Sequence, residues 1–252
     1  MGMDFPLSRA VAEHLEVLDE TTSTNAELVE RAATGTQGDF WVVVTTNQTA
    51  GRGRLGRVWV SPPGRTLAVS VLLAPGVTEP ARLGWLPLLA GLAMTRAVTS
   101  LVGAPVRLKW PNDVQIDELK VSGLLAEVVP GVGVVVGAGL NLTMTEAELP
   151  TPVSTSLTLE GASPDGIVDR ALAAYLTELR SLYIDFVSAG LDATELRAEV
   201  KAACSTLGRQ VRVELPGADD LYGVATDIDE SGRLVVDGRS IAAGDVVHLR
   251  YS

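Results

Sequence analysis

The chain has 252 residues, with 20 Lys and Arg against 31 Asp and Glu, a formal net charge of −11, 46% hydrophobic residues and one cysteine. That length and apolar fraction suit a large buried core, the acidic balance excludes general affinity for nucleic acid, and a lone Cys204 excludes an internal disulfide or a thiolate zinc cluster. With no run of 18 apolar residues and no apolar leader segment, the sequence predicts a soluble, untargeted protein of a reducing cytoplasm, without a membrane partner.

After a short N-terminal arm, residues 15–18 alternate like a strand and residues 26–33 carry a helical period. Thr24 followed three residues later by Glu27 has the spacing of a capping box, which would gather hydroxyls and free backbone N–H groups at that helix's N-terminus. Residues 40–46 and 65–73 read as buried strands.

Between those strands lies Gly51-Arg52-Gly53-Arg54-Leu55-Gly56-Arg57. From residue 40 to 78 there is no Asp or Glu, while Arg52, Arg54, Arg57 and Arg65 contribute +4, so the rest of the chain sums to −11 − 4 = −15. Positive potential is therefore concentrated here, where glycines turn backbone N–H groups toward an anion and arginines offer planar forks for phosphate or carboxylate oxygens. The spacing also fits a dinucleotide fingerprint and a kinase Gly-rich loop. The first needs a helix directly afterwards, where Val58-Trp59-Val60-Ser61-Pro62-Pro63 stands; the second needs His-Arg-Asp and Asp-Phe-Gly segments, and the only histidines are His14 and His248.

Residues 85–101 have the period of a core helix, and 106–110 that of a strand broken at Pro111-Asn112-Asp113. Residues 120–128 and 132–142 are strands whose internal glycines imply close approach by a ligand or another backbone. A helix opening at Asp165 and a shorter one over 193–203 follow. From Cys204 the period changes to short strands at 211–215, 222–228, 234–237 and 246–250, separated by Pro216-Gly217, Ser231-Gly232 and Ala243-Gly244. The pattern predicts an α+β fold: a mixed-sheet domain with packed helices over residues 1–203, then a small β barrel over 204–252.

Five stretches in order then resemble a known family: Thr22-Ser23-Thr24-Asn25; Gln48-Thr49-Ala50 running into the arginine loop with Trp59 and Ser61-Pro62; Lys109-Trp110-Pro111-Asn112-Asp113; Lys120-Val121-Ser122-Gly123-Leu124-Leu125; and Gly137-Ala138-Gly139-Leu140-Asn141. Together they resemble a biotin–protein ligase (biotin–acetyl-CoA-carboxylase synthetase) in its single-function form, since the N-terminal arm is short for a winged helix-turn-helix. The resemblance implies a catalytic domain followed by an SH3-like domain that helps complete the ligand and carrier sites. It also implies a two-step reaction, in which biotin and ATP give biotinyl-5′-AMP and pyrophosphate, and a lysine of the biotin carrier domain of an acyl-CoA or pyruvate carboxylase then takes the biotinyl group. Fixed cations and backbone donors are the catalytic groups such chemistry requires.

By that resemblance Ser23, Thr24 and Gln48 hold the ureido end of biotin, with Gly51, Arg52 and Gly123 along the rest of it. Arg54 and Arg57 hold phosphates, Trp59 faces the adenine side, Asn112 and Asp113 sit by phosphate and magnesium, with Asp113 as the metal ligand, and Asn141 contacts the nucleotide. Lys120, at the biotin carboxylate and α-phosphate, and Arg54 are the catalytic residues. DNA is not an expected partner. In one departure from the family pattern, Val114-Gln115-Ile116-Asp117-Glu118-Leu119 replaces an apolar strand and a glycine-containing turn. Two other readings stand beside this one: a lipoate–protein ligase, against which the arginine run argues, and a non-catalytic sensor or RNA-binding module, against which 4% aromatic content and the negative charge argue.

Overall fold

The computed structural model of the chain describes residues 4–35, 37–76, 79–189, 193–215, 217–242 and 244–249. A first sheet of seven strands is ordered β1 (Leu15–Val17), β2 (Val42–Thr45), β5 (Thr66–Leu73), β9 (Gly133–Asn141), β8 (Leu119–Val129), β7 (Asp113–Ile116), β6 (Val106–Lys109). Only β1 and β2 pair in parallel; the other neighbours are antiparallel. A two-stranded ribbon of β3 (Gly51–Arg52) and β4 (Val58–Trp59) stands apart from it.

The alternation of strand side chains sorts this sheet into two faces. Val42, Val44, Leu67, Val69, Val71, Val134, Val136 and Ala138 share the main core with the long helices α4 (Leu86–Val102) and α5 (Ile167–Ala189). Val43, Leu72 and Val135 point the other way, onto Leu28 and Ala32 of α2 (Thr24–Ala33). Further along that second face the residues become small or polar: Ser70 on β5, paired with Gly137 on β9, then Ala68 paired with Gly139. A strip without large side chains cannot close against a helix, and it leaves a hollow beside the N-terminus of α2.

Two short helices, α1 (Pro6–Val11) and α3 (Pro80–Leu83), complete the first unit with α6 (Thr194–Ala203). The residues 81–102 are long and apolar enough to cross a membrane by length and composition, yet most of their apolar part is buried inside the protein, as expected of a core helix. The chain then forms a five-stranded antiparallel sheet ordered β13 (Arg239–Ile241), β12 (Leu234–Val236), β11 (Leu221–Ile228), β10 (Gln210–Glu214), β14 (Asp245–His248). Its Val211, Val213, Ala225 and Val236 belong to the same core as α4 and the large sheet.

Several expectations need correction. The cap of α2 is Ser23, whose side chain accepts from Ala26 N, and not Thr24, which is already helical. Phe40 lies outside β2 with φ 58. A full strand, β7, follows Pro111-Asn112, and it joins β8 through Asp117 and Glu118, both at positive φ (46 and 69). The departure from the family pattern is therefore a tight two-residue hairpin built without glycine, a turn that calls for left-handed residues. Strand β13, the β3–β4 ribbon and helix α1 had no separate signal in the sequence. The turn residues Pro216 and Ala243 and the strand end at Arg250 lie outside the described residues.

Candidate active site

The hollow on the second face is an open cleft, of about 770 Å³ when the space open to solvent at its mouth is counted. Ser23, Thr24, Gln48, Arg52, Arg54, Arg57, Trp59, Asn112, Asp113, Lys120 and Gly123 all line it, though they come from four separate stretches of sequence. A parallel bridge between Thr21 and Gln48, with Thr49 N donating to Thr21 O at 2.9 Å and Ala50 N to Thr22 O at 2.9 Å, fastens the start of α2 to the arginine loop. Asn112 Nδ2 donates to Leu124 O at 2.9 Å, and Leu124 N to Asn112 O at 2.8 Å, which ties the Pro111 corner to β8.

At one end the cleft is neutral and polar. Ser23, Thr24 and Gln48 are buried there, and Gln48 Oε1 accepts from Thr24 N at 2.9 Å. Gly51 is not on the wall but makes room for it: a Cβ there would press on Trp59 O and on Gln48 Nε2. The other end is charged. Lys120 Nζ lies 2.6 Å from Asp113 Oδ1, an ion pair at hydrogen-bond distance within the cleft.

Trp59 lies between the two ends. A Cβ at Gly139 would fall inside its ring, and one at Gly123 would meet both the ring and Lys120, so the glycines inside β8 and β9 form the floor on which the indole rests. Lys120 Nζ sits 5.8 Å from the ring centroid, within cation–π range.

The arginine loop closes one side as the β3–β4 ribbon, its tip turning through Leu55 (φ 54) and Gly56 (φ 75). Arg52 pairs with Glu127 at 3.2 Å, Arg54 donates to Asn112 Oδ1 at 3.2 Å, and Arg57 pairs with Asp245 of β14. Burial lowers the Arg54 guanidinium below the usual arginine value, opposed by the nearby Asp245 and Asp113 charges and reinforced by Arg57. Burial likewise lowers Lys109, which stands opposite Asp113 in the β6–β7 register, with Asp113 opposing and Lys120 reinforcing the shift.

Asn141 is not on the cleft wall. It is buried, and its Nδ2 donates to Thr155 O at 2.8 Å, holding the segment that bridges Lys120 through Ser154. Sequence reasoning missed Asp245, Asn25 and Glu127. Asp245 comes from the second sheet and carried no motif; Asn25 was within a quoted motif but was given no role. No group of three or more His, Cys, Asp or Glu that could hold a metal exists among the described residues. The chemistry available is therefore a row of fixed cations running from a neutral hydrogen-bonding pocket, fit for an elongated anion whose far end is polar and uncharged.

Comparisons with known proteins point the same way. Residues 17–141 match the Biotin/lipoate A/B protein ligase family, and residues 206–249 match the biotin protein ligase C terminal domain. The biotin–[acetyl-CoA-carboxylase] ligase of Mycobacterium tuberculosis is 42% identical over 243 residues, 94% of this chain and 89% of the relative. The biotin protein ligase of Aquifex aeolicus in complex with biotin and ATP superposes with a TM-score of 0.72 at 28% identity, covering 95% of this chain and 100% of the other. That of Leishmania major in complex with biotinyl-5-AMP gives 0.62 at 26% identity, over 94% and 99%.

Proposed function

The chain belongs to the biotin protein ligase family, and we propose on that premise how its cleft divides the work of the reaction. It is a biotin–protein ligase that activates biotin with ATP and transfers it to a protein lysine. The neutral end takes the ureido ring, and the valerate chain runs past Arg52 and Gly123 toward Lys120. The single observation that carries this reading is the separation within one cleft of an uncharged hydrogen-bonding pocket from a cationic row.

In the first step a biotin carboxylate oxygen forms a bond to the α-phosphorus and the bond to pyrophosphate breaks. Lys120 stands where two anions must approach one another, and its charge offsets their repulsion. Arg54 and Arg57 hold the phosphates, with Arg54's partial burial strengthening its field, and Trp59 offers a flat face to the adenine side. In the second step a carrier lysine amine attacks the carbonyl carbon, AMP leaves, and the amine loses a proton. The acceptor is the biotin carrier domain of an acyl-CoA or pyruvate carboxylase.

Magnesium fits the residues present: Mg²⁺ is commonly held by one or two carboxylates together with substrate phosphates, and Asp113 supplies one carboxylate on the cleft wall, beside the Asn112 amide. When bound, the ion would screen phosphate charge. A cytoplasmic location, where ATP and carboxylases meet, belongs to the same reading, as does the division into a catalytic unit of residues 1–203 and a terminal unit of 204–252.

A lipoate-type substrate suits the cleft less well. A dithiolane ring offers the side chains of Ser23, Thr24 and Gln48 no hydrogen-bond partner beyond those the fold already gives them. Incubation with biotin, Mg-ATP and a purified biotin carrier domain should add one biotinyl group to its lysine, read by mass spectrometry. Labelling with lipoate but not with biotin would overturn the assignment.

A further inference from the structure

At the charged end of the cleft Arg54, Arg57, Lys109 and Lys120 surround Asp113 and Asp245. Asp113 pairs with Lys120 and Asp245 with Arg57, so each carboxylate already has its cation. Arg54 and Lys109 are left over. The Arg54 guanidinium reaches only neutral acceptors, Asn112 Oδ1 at 3.2 Å and Gly244 O at 3.4 Å. The Lys109 ammonium makes no hydrogen bond and no ion pair among the described residues, although the residue is half-buried. A partly desolvated cation without a counter-ion is unfavourable, and an arriving anion relieves it.

The register of the large sheet shows where Lys109 points. Ala68 on β5 pairs with Gly139 on β9, Gly139 with Gly123 on β8, Gly123 with Asp113 on β7, and Asp113 with Lys109 on β6. Residues directly opposite one another on antiparallel strands share a face, so Lys109 leaves the sheet on the side of Asp113, which lines the cleft. Its neighbour Leu108 faces the other way and is fully buried in the main core. The row therefore runs from the glycine floor under Trp59, past the Lys120–Asp113 pair, to Lys109 one strand further on, about 5 Å beyond Asp113.

The chemistry of the first step gives that direction a meaning. In a phosphoryl-type displacement the attacking and leaving oxygens lie on opposite sides of the phosphorus. With biotin extended over the glycines and its carboxylate at Lys120, pyrophosphate departs toward β7 and β6. The electron pair of the breaking phosphorus–oxygen bond goes to pyrophosphate, and a fixed cation on that side favours the charge that develops there.

We propose that Lys109 is a further catalytic residue, which binds the β- and γ-phosphates of ATP as they leave and acts in the first step alone. The inference rests on the ligase reading and adds to it a pyrophosphate subsite beyond the α-phosphate.

The test separates the two half-reactions in the intact protein, with magnesium present throughout. Lys109→Met keeps an unbranched apolar stem and removes the charge. Starting from biotinyl-5′-AMP, this variant should need about tenfold more pyrophosphate for half-maximal ATP synthesis, the low end for a lost hydrogen bond to a charged group. Lys109→Arg should recover most of that loss. Binding of biotinyl-5′-AMP, measured by calorimetry, and its transfer to a carrier lysine involve no pyrophosphate, and both should stay within about twofold. An unchanged pyrophosphate requirement would overturn the proposal. So would an equal loss in adenylate binding or transfer, which would make Lys109 a support for Asp113. Lys109→Gln answers the same questions should Lys109→Met fail to fold. Wild-type protein that makes no ATP from biotinyl-5′-AMP and pyrophosphate would overturn the ligase reading and this inference together.

Discussion

Lys120 is held by three neighbours at once: Asp113 at 2.6 Å, the Trp59 ring, and a backbone bracket in which its N–H donates to Val153 O at 2.8 Å and its carbonyl accepts from Thr155 N at 2.9 Å. The bracket places the side chain whatever the ammonium contacts, so the fold does not depend on the charge. Lys120→Ala should slow adenylate formation by about 2.7–4 kcal/mol, or 10²–10³-fold, as for loss of one preorganised donor, with an unchanged melting temperature. Near-normal adenylation with a lowered melting temperature would make Lys120 structural instead. At this scale the sequence was most readable where site residues sit side by side in motifs, as Gln48 to Arg57 do. Glu127 and Asp245 stand singly in strands whose pattern is otherwise ordinary, and only tertiary contact brings them to Arg52 and Arg57.

Among the elements, the β3–β4 ribbon has the least support. Its strands are two residues each, Val58 and Leu55 are exposed, and it is held mainly by the Arg52, Arg54 and Arg57 contacts and by Gly53 N donating to Arg57 O at 2.7 Å. Close arginines repel one another until an anion neutralises them, and glycines raise the entropy cost of ordering. Biotin with ATP should therefore protect this ribbon, and also keep water from the mixed anhydride. Limited trypsin digestion at Arg52, Arg54 and Arg57 should slow at saturating ligand; equal cutting in both states would refute ligand-driven closure.

The helices and long strands were legible from their periods, whereas this ribbon and the β7–β8 hairpin were not. Two-residue strands carry no period, and Asp117-Glu118 adopts a turn that sequence rules assign to Asn and Gly. Strain there is offset by Gln115 Nε2 donating to Glu118 O at 2.9 Å and by the Arg209–Glu118 ion pair, reached from beyond residue 203.

At the level of the whole molecule, the terminal sheet is part of the cleft's frame. Trp110, immediately before the Pro111 corner, donates its N–H to Thr206 Oγ1 at 3.1 Å and its indole N–H to Gly232 O at 3.1 Å, while Trp85 Nε1 donates to Glu230 O at 2.8 Å. Asp245 then reaches across to Arg57, and Gly244 O accepts from Arg54 at 3.4 Å. The switch in period near Cys204 made the terminal sheet visible in the sequence. Its contribution to the cleft was not visible there, because an Asp in a strand gives no sign of a partner nearly 190 residues away. Asp245→Asn removes the charge while keeping the shape; it should raise KM for ATP roughly fivefold, the scale of about 1 kcal/mol for a half-exposed ion pair, and speed trypsin cutting at Arg57 in the free protein. Unaltered KM and cutting would reduce the pair to a surface contact.

The central claim is that one cleft recognises biotin and activates it with ATP, and exchange of labelled pyrophosphate into ATP measures that step without any carrier protein. The account predicts exchange that requires biotin, is not supported by lipoate, and falls 10²–10³-fold in Lys120→Ala. Exchange supported by lipoate and not by biotin, or none with either acid in a folded, ATP-binding protein, would contradict it.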